Sequence, residues 1–254
     1  MIKVIQIPVL KDNYIYLLID LVSGKTACVD PALSEPVLNI LKKKKLNLDF
    51  IFNTHHHNDH VGGNLEIKGI TGCKIIGPEI DKKRIPGIDI GVKNKERIRL
   101  GKSNINIYEI PGHTTGHICF YFPEDSLLFC GDTLFSMGCG RMFEGTAKQM
   151  WNSLKILRSL PDDTLIYCGH EYTESNAKFA FSLDKENEDL KEKISEIYKL
   201  RNDGKPTVPS ILGEEKKFNP FLKSDDPDFT KKINIRSNVS WKIFKEIRRM
   251  KDSF

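Results

Sequence analysis

Thr54-His55-His56-His57-Asn58-Asp59-His60 follows the strand-forming stretch Phe50-Ile51-Phe52-Asn53. A strand over residues 48–53 is expected to deliver the chain to Thr54. In an extended segment side chains alternate, so His55 and His57 project to one side and His56 to the other. Two imidazoles on one side can converge on one cation. Asp59 and His60 fall at a turn before Val61-Gly62-Gly63 and can swing toward a second. Four imidazole and carboxylate donors within six residues suit zinc, iron or manganese. The competing reading is a polar, histidine-rich loop, and three further sites count against it. His113 follows Pro111-Gly112 after a strand expected at residues 105–110. Asp132 follows Cys130-Gly131 after one at residues 127–129. His170 follows Cys168-Gly169 after one at Leu165–Cys168. Loops at strand ends are where a rigid scaffold gathers distant residues.

Seven donors exceed the four of a tetrahedral zinc site and suit two ions. By type, His55, His57 and His113 would hold one, and Asp59, His60 and His170 the other. Asp132 would bridge, because a carboxylate offers an oxygen to each of two ions about 3.5–4 Å apart. All 7 histidines lie between positions 55 and 170, a distribution that packing alone would not produce. His56 is expected to point away from the site. His117 is expected to hydrogen-bond close to it.

Composition narrows the alternatives. With 254 residues, 39% of them apolar, and 14 Phe, the chain can bury a sizeable core and is not disordered. No run of about 18 apolar residues occurs, so no membrane span is expected. The net charge of +5 is unevenly placed. Residues 1–230 carry 31 basic and 32 acidic side chains, whereas residues 231–254 carry 8 basic and 2 acidic. A near-neutral body without a basic groove interleaved with aromatics excludes a nucleic-acid partner. The 6 cysteines form no C-x-x-C pair, and the first residues lack a signal-peptide pattern. A cytoplasmic protein with reduced thiols is therefore expected. No G-x-S-x-G elbow is present, which counts against a serine hydrolase.

Strand-forming segments at residues 2–7, 14–20 and 27–29 precede a helix opened by Ser34 and Glu35. After about residue 172 the texture turns helical. Leu190, Ile194, Ile197 and Leu200 recur at helical spacing until Asn202-Asp203-Gly204, and Ser240 is expected to cap a last helix over residues 241–251. The organisation expected is an α/β metal-site domain over residues 1–172 and a smaller helical domain over residues 173–254.

The T-H-x-H-x-D-H stretch, with the later His, Asp and His, resembles the metallo-β-lactamase-fold hydrolases. Other motifs narrow the resemblance to glyoxalase II, the hydroxyacylglutathione hydrolase family. They are Asp12-Asn13-Tyr14-Ile15-Tyr16, Gly138-Cys139-Gly140-Arg141, Phe143-Glu144-Gly145-Thr146 and Cys168-Gly169-His170-Glu171-Tyr172, followed by Thr207-Val208-Pro209-Ser210, Gly213-Glu214-Glu215 and Asn219-Pro220-Phe221-Leu222. Together they cover nearly the whole chain.

The resemblance implies an αββα metallo-β-lactamase sandwich followed by a smaller C-terminal α-helical domain that completes the substrate pocket. It implies two divalent metal ions, zinc foremost with iron and manganese as alternatives, in the ligand grouping above. It implies hydrolysis of the thioester S-D-lactoylglutathione to glutathione and D-lactate, a step of methylglyoxal detoxification. A metal-bridging hydroxide would attack the thioester, with Asp59 and Asp132 as the catalytic carboxylates. A monomer is expected.

Carried over residue by residue, the glutathione-binding side chains are Arg141, Phe143, Tyr172, Arg248 and Lys251. Arg248 and Lys251 are three apart on the predicted last helix and share a face. Two positions depart from some members of the family. Arg141 stands where some have Lys, which keeps the charge and adds a bidentate fork. Phe143 stands where some have Tyr, which removes a hydroxyl. Cys139 is taken as a packing residue. The competing activities are another thioesterase or lactamase on the same scaffold, and a one-iron persulfide dioxygenase, whose chemistry does not need Asp59, His60 and His170.

Overall fold

Alternating apolar residues near the start build a hairpin of β1 (Ile2–Val9) and β2 (Asn13–Asp20), with Ile2 opposite Asp20 and Val9 opposite Asn13. β3 (Thr26–Val29) joins β2 antiparallel. From there β4 (Phe50–Phe52), β5 (Lys74–Pro78) and β6 (Ile90–Val92) extend the sheet in parallel, in the order β1-β2-β3-β4-β5-β6. Parallel neighbours need crossovers. α1 (Ser34–Lys44) links β3 to β4, and α2 (Asn58–Val61) with α3 (Asn64–Thr71) links β4 to β5. Lys42, Lys43 and Lys44 form the exposed last turn of α1, where cations suit the helix dipole.

β7 (Arg97–Leu100), β8 (Ser103–Glu109), β9 (Ile118–Phe122) and β10 (Leu127–Gly131) follow as an antiparallel meander. The period of two sorts the side chains of the first sheet. Ile15, Leu17, Cys28, Ile51 and Ile75 face one way and pack with Val37 and Leu41 of α1 and Ile67 of α3. Tyr16 and Phe52 face the other way, toward the meander. There the Phe52 ring stacks on Phe120 at 4.9 Å, and Tyr16 meets Phe129 edge-on at 5.5 Å. Helices, sheet and second sheet thus form successive layers.

The computed structural model describes all 254 residues, Met1–Phe254. They divide into two units, residues 1–109 with 116–131, which hold the layers above, and residues 110–115 with 132–254. The second unit opens its long segment with a small hairpin of β11 (Leu134–Phe135) and β12 (Gly138–Cys139). α4 (Ala147–Arg158) begins at a capping box formed by Thr146 and Gln149. β13 (Leu165–Cys168) pairs antiparallel with β14 (Ser210–Ile211). The helical texture over residues 174–201 resolves into two helices, α5 (Thr173–Leu183) and α6 (Glu188–Asn202), the second capped by Asn187. Ala177, Ala180, Leu190, Ile194 and Ile197 pack them together.

Three helices complete the unit: α7 (Leu212–Phe218), α8 (Pro227–Lys232) and α9 (Ser240–Asp252). α9 differs from expectation at its start. Val239 occupies the cap position, Ser240 is already helical, and no side chain caps the helix. What holds α9 is its apolar face, with Phe244 lying 6.3 Å from Trp151 of α4 and 6.1 Å from Phe221.

Candidate metal centre and substrate site

In the first unit the donors hang from the end of β4. The Asp30 amide donates to the Phe52 carbonyl at 3.0 Å, which sets Asp30, just past β3, beside Thr54. Asp30 is buried, and its carboxylate is a hub. It accepts from the Thr54 N–H at 2.8 Å, from the Thr54 hydroxyl at 2.6 Å and from His60 Nδ1 at 3.0 Å. The Thr54 hydroxyl, spent as a donor on Asp30, accepts from His55 Nδ1 at 3.0 Å. Protons on both Nδ1 atoms leave His55 Nε2 and His60 Nε2 as lone pairs. His55 Nε2 lies 3.1 Å from His57 Nδ1. Bonds of about 2.0–2.1 Å to one tetrahedral zinc would set two nitrogens about 3.3 Å apart, so this pair fits a shared cation.

Asp59 Oδ2 lies 3.7 Å from His60 Nε2 and accepts from Asn13 Nδ2 at 3.0 Å. His56 points away as expected, to Asp81 at 3.2 Å and Arg84 at 3.3 Å. His117 is buried, with its ring stacked on that of His55 at 4.6 Å. Gly131 is the glycine this set depends on. Its φ is +48°, and a Cβ there would come within 2.3 Å of Thr54 Oγ1 and 2.9 Å of the His117 ring.

The second unit gathers His113, Asp132 and His170, all buried. Asp132 Oδ2 stands 3.4 Å from His113 Nε2 and 3.2 Å from His170 Nε2. His113 Nδ1 donates to the Arg141 carbonyl at 2.8 Å, which turns Nε2 toward Asp132. Gly140 permits the close return of the chain, because a Cβ there would sit 1.9 Å from the Asp132 carbonyl oxygen. Imidazole nitrogens and carboxylate oxygens converging at these distances are the donor chemistry of a metal site, and the residues fit one.

The five residues expected to bind substrate also lie in the second unit. The Tyr172 ring stacks on His170 at 4.7 Å, and the exposed Phe143 ring meets His113 edge-on at 5.1 Å. Arg141 is exposed, with Nε 3.6 Å from Asp252 Oδ1. Arg248 is 4% exposed. It donates to the Cys139 carbonyl at 2.9 Å, pairs with Asp252 at 3.0 Å and lies over the Phe221 ring at 4.9 Å. Lys251 donates to the Ser175 carbonyl and hydroxyl at 2.9 and 3.0 Å, between the rings of Phe179 and Phe254. Burial, with Arg248 and Arg141 nearby, brings its pKa down to about 8. The Cys139 thiol is buried and pushed up to about 11 by that burial, against the pull of Arg248, which keeps it an unreactive packing residue.

Three residues take part in the site in ways that sequence reasoning does not find. Asp30 carries no pattern beyond its nearness to a strand end, Thr54 opens the T-H-x-H-x-D-H stretch without a sign that its hydroxyl holds His55, and Asp252 reads as one acid in a basic tail. Only the structure shows that Asp252 already engages Arg248 and Arg141.

Comparison with known proteins identifies the family. Residues 12–170 match the model of the metallo-beta-lactamase superfamily, and residues 171–254 match that of the hydroxyacylglutathione hydrolase C-terminus. The hydroxyacylglutathione hydrolase of Methylococcus capsulatus is 50% identical over 254 residues, covering 100% of this chain and 99% of that protein. That of Rhodospirillum rubrum is 49% identical over 249 residues, covering 98% and 97%. Among solved structures, ETHE1 from Myxococcus xanthus superposes with a TM-score of 0.68 at 24% identity, covering 96% of this chain and 95% of that one. The BLEG-1 B3 metallo-beta-lactamase does so with a TM-score of 0.66 at 20% identity, covering 87% and 99%. These two share the fold, and the identities over full length carry more. The chain belongs to the hydroxyacylglutathione hydrolase (glyoxalase II) family of the metallo-beta-lactamase superfamily.

Proposed function

We propose that the chain hydrolyses S-D-lactoylglutathione to glutathione and D-lactate at a binuclear centre. His55, His57 and His113 would hold one divalent cation and Asp59, His60 and His170 the other, and Asp132, which faces His113 and His170, would serve both. The observation that carries the reading is full-length family membership in a chain with two convergent donor sets. Bound there, such cations would lower the pKa of a water from about 15.7 toward about 7 and would polarise the thioester carbonyl.

The chain's own residues do the rest. Asp30 and Thr54 hold the imidazoles of His60 and His55 in one tautomer. Asn13 holds the Asp59 carboxylate, which orients the attacking water. Glutathione carries two carboxylates, and Arg141, Arg248 and Lys251 meet them with charge-assisted hydrogen bonds. The Phe143 and Tyr172 rings flank the thioester. In the same reading residues 173–254 form the substrate-binding domain, the cations are zinc, and the protein is a cytoplasmic monomer. Six buried thiols without a disulfide suit a reducing compartment, and no helix is long and apolar enough to cross a membrane.

The test is turnover of S-D-lactoylglutathione by the purified protein, with metal analysis of the same sample. Two ions per chain with turnover are expected. A two-metal sample without turnover would overturn the substrate. About one iron per chain with sulfur-dependent oxygen uptake would favour the persulfide dioxygenase reading.

A further inference from the structure

The hairpin β11–β12 pairs only Leu134 with Cys139 and Phe135 with Gly138. A two-stranded hairpin of that length does not hold itself. Its backbone is instead taken up by buried side chains from three helices and a loop. Asn219 Nδ2 donates to the carbonyls of Phe135 and Gly138 at 3.2 and 3.0 Å. Asn176 of α5 donates to the Ser136 carbonyl at 3.0 Å, and Arg248 of α9 to the Cys139 carbonyl. At the tip, Met137 adopts a left-handed φ of +60°, which a non-glycine residue keeps only when its surroundings hold it there. The Met137 N–H donates to Glu215 Oε2 of α7 at 2.8 Å, and the same oxygen accepts from Asn219 Nδ2 at 2.9 Å.

Glu215 is 2% exposed and forms no salt bridge with Lys or Arg, and burial raises its pKa. A buried carboxylate without a cation is costly and calls for an explanation. The hairpin supplies one. Asp132 stands two residues before it and Arg141 two residues after it, and its last carbonyl orients Arg248.

We propose that Glu215 is a positioning residue that, through Met137 and Asn219, fixes the hairpin Leu134–Cys139 and so sets Asp132 toward the metals and Arg141 and Arg248 toward glutathione. This rests on the glyoxalase II reading for what the two ends bind. Because one end carries a metal donor and the other the substrate cations, loosening the hairpin changes kcat and KM together. Loss of Arg141 alone changes KM.

The test compares Glu215→Ala, Glu215→Asp and Glu215→Gln in the metal-loaded full chain. It measures hydrogen exchange over residues 134–139, the rate of metal loss to a chelator, and kcat and KM. Glu215→Ala is expected to speed hydrogen exchange and metal loss at least about tenfold and to lower kcat/KM about 10–100-fold through both parameters. Glu215→Gln, whose amide oxygen can take the place of Oε2, is expected to restore all three to within about threefold. Glu215→Asp, one methylene short of Met137, falls between and serves if the alanine variant does not fold. Metal loss, kcat and KM within twofold of the parent, in a folded variant with a faster-exchanging hairpin, would overturn the proposal and leave Glu215 a packing residue. A parent enzyme that does not turn over the thioester would overturn the substrate reading alone, because hydrogen exchange and metal loss still decide the role of Glu215.

Discussion

The two donor sets are built in opposite ways. In the first unit, four donors occupy six consecutive positions at one strand end, and a single buried carboxylate, Asp30, orients two of the imidazoles. In the second, three donors come from three loops. What orients them is backbone: the Arg141 carbonyl on His113, and a chain return at Gly140 that only glycine permits. The first set is organised by one side chain under it, the second by the placement of whole segments. Changing one residue should therefore disable the second set through its shared oxygen, and the first through its hub.

The largest effect is expected at the shared oxygen. Asp132→Ala removes the acceptor that both His113 and His170 face. A fall in kcat/KM of about 10³-fold or more is expected, about 4 kcal/mol of transition-state stabilisation, together with loss of bound metal. Kinetics and metal content measured together check this, and a loss under tenfold would break the claim that Asp132 joins the sets.

Asp30→Asn is the counterpart in the first unit. It keeps the size but presents an amide N–H to one of three donors, from Thr54 or His60. Metal affinity is expected to fall about 10–100-fold, measured by chelator competition. Unchanged affinity would mean that the first set stands without its hub.

The same contrast explains what could be read from the sequence. The metal motif was legible because its spacing is local, so a strand with period two and a turn suffice to predict that His55 and His57 converge and His56 does not. The layers of β1 to β5 were legible for the same reason, since alternation sorts Ile15 and Leu17 from Tyr16 without knowledge of partners. The hairpin at Leu134–Cys139 was not, because its two pairs carry no periodicity and its supports come from Asn176, Glu215, Asn219 and Arg248, far along the chain. Asp30 was missed likewise: a carboxylate after a strand becomes a hub only when a parallel neighbour brings Thr54 beside it. The basic tail was legible as charge, but the burial of Arg248 and its pairing with Asp252 were not, because helical spacing shows a shared face and not what covers it.

Arg248 and Lys251 sharpen the comparison at a smaller scale, as one face of α9 with two different environments. Arg248→Ala removes a buried guanidinium and leaves the Cys139 carbonyl without its donor. A loss of about 2–4 kcal/mol in stability is expected, seen as a lower Tm, together with a raised KM. Lys251→Ala should raise KM several-fold with little change in Tm, because its ammonium sits at the half-buried rim on Ser175. Equal effects on Tm from the two variants would remove the distinction.

The smallest effect expected is a pH dependence of KM carried by Lys251. Arg248 and Arg141 face its ammonium, Asp252 is the one opposing charge, and Phe179 and Phe254 cover its flanks, so the charged form is disfavoured and its pKa lies near about 8 instead of the ordinary 10.5. The sign follows. Below about pH 8 the folded chain presents a third cation to an anionic substrate, and above it the site is one charge poorer, so KM should rise as pH goes from 7 to 9. Folding responds in the opposite sense. Between about 8 and 10.5 the unfolded chain binds the proton that the folded chain has lost, so this group's contribution to stability becomes more favourable as pH rises through that window. Lys251→Arg keeps its charge throughout and should flatten the rise in KM while leaving the kcat profile in place. A KM profile identical in Lys251→Arg and the parent would show that the ammonium does not titrate in the working range, and that the two basic residues of α9 act alike on substrate despite their different burial.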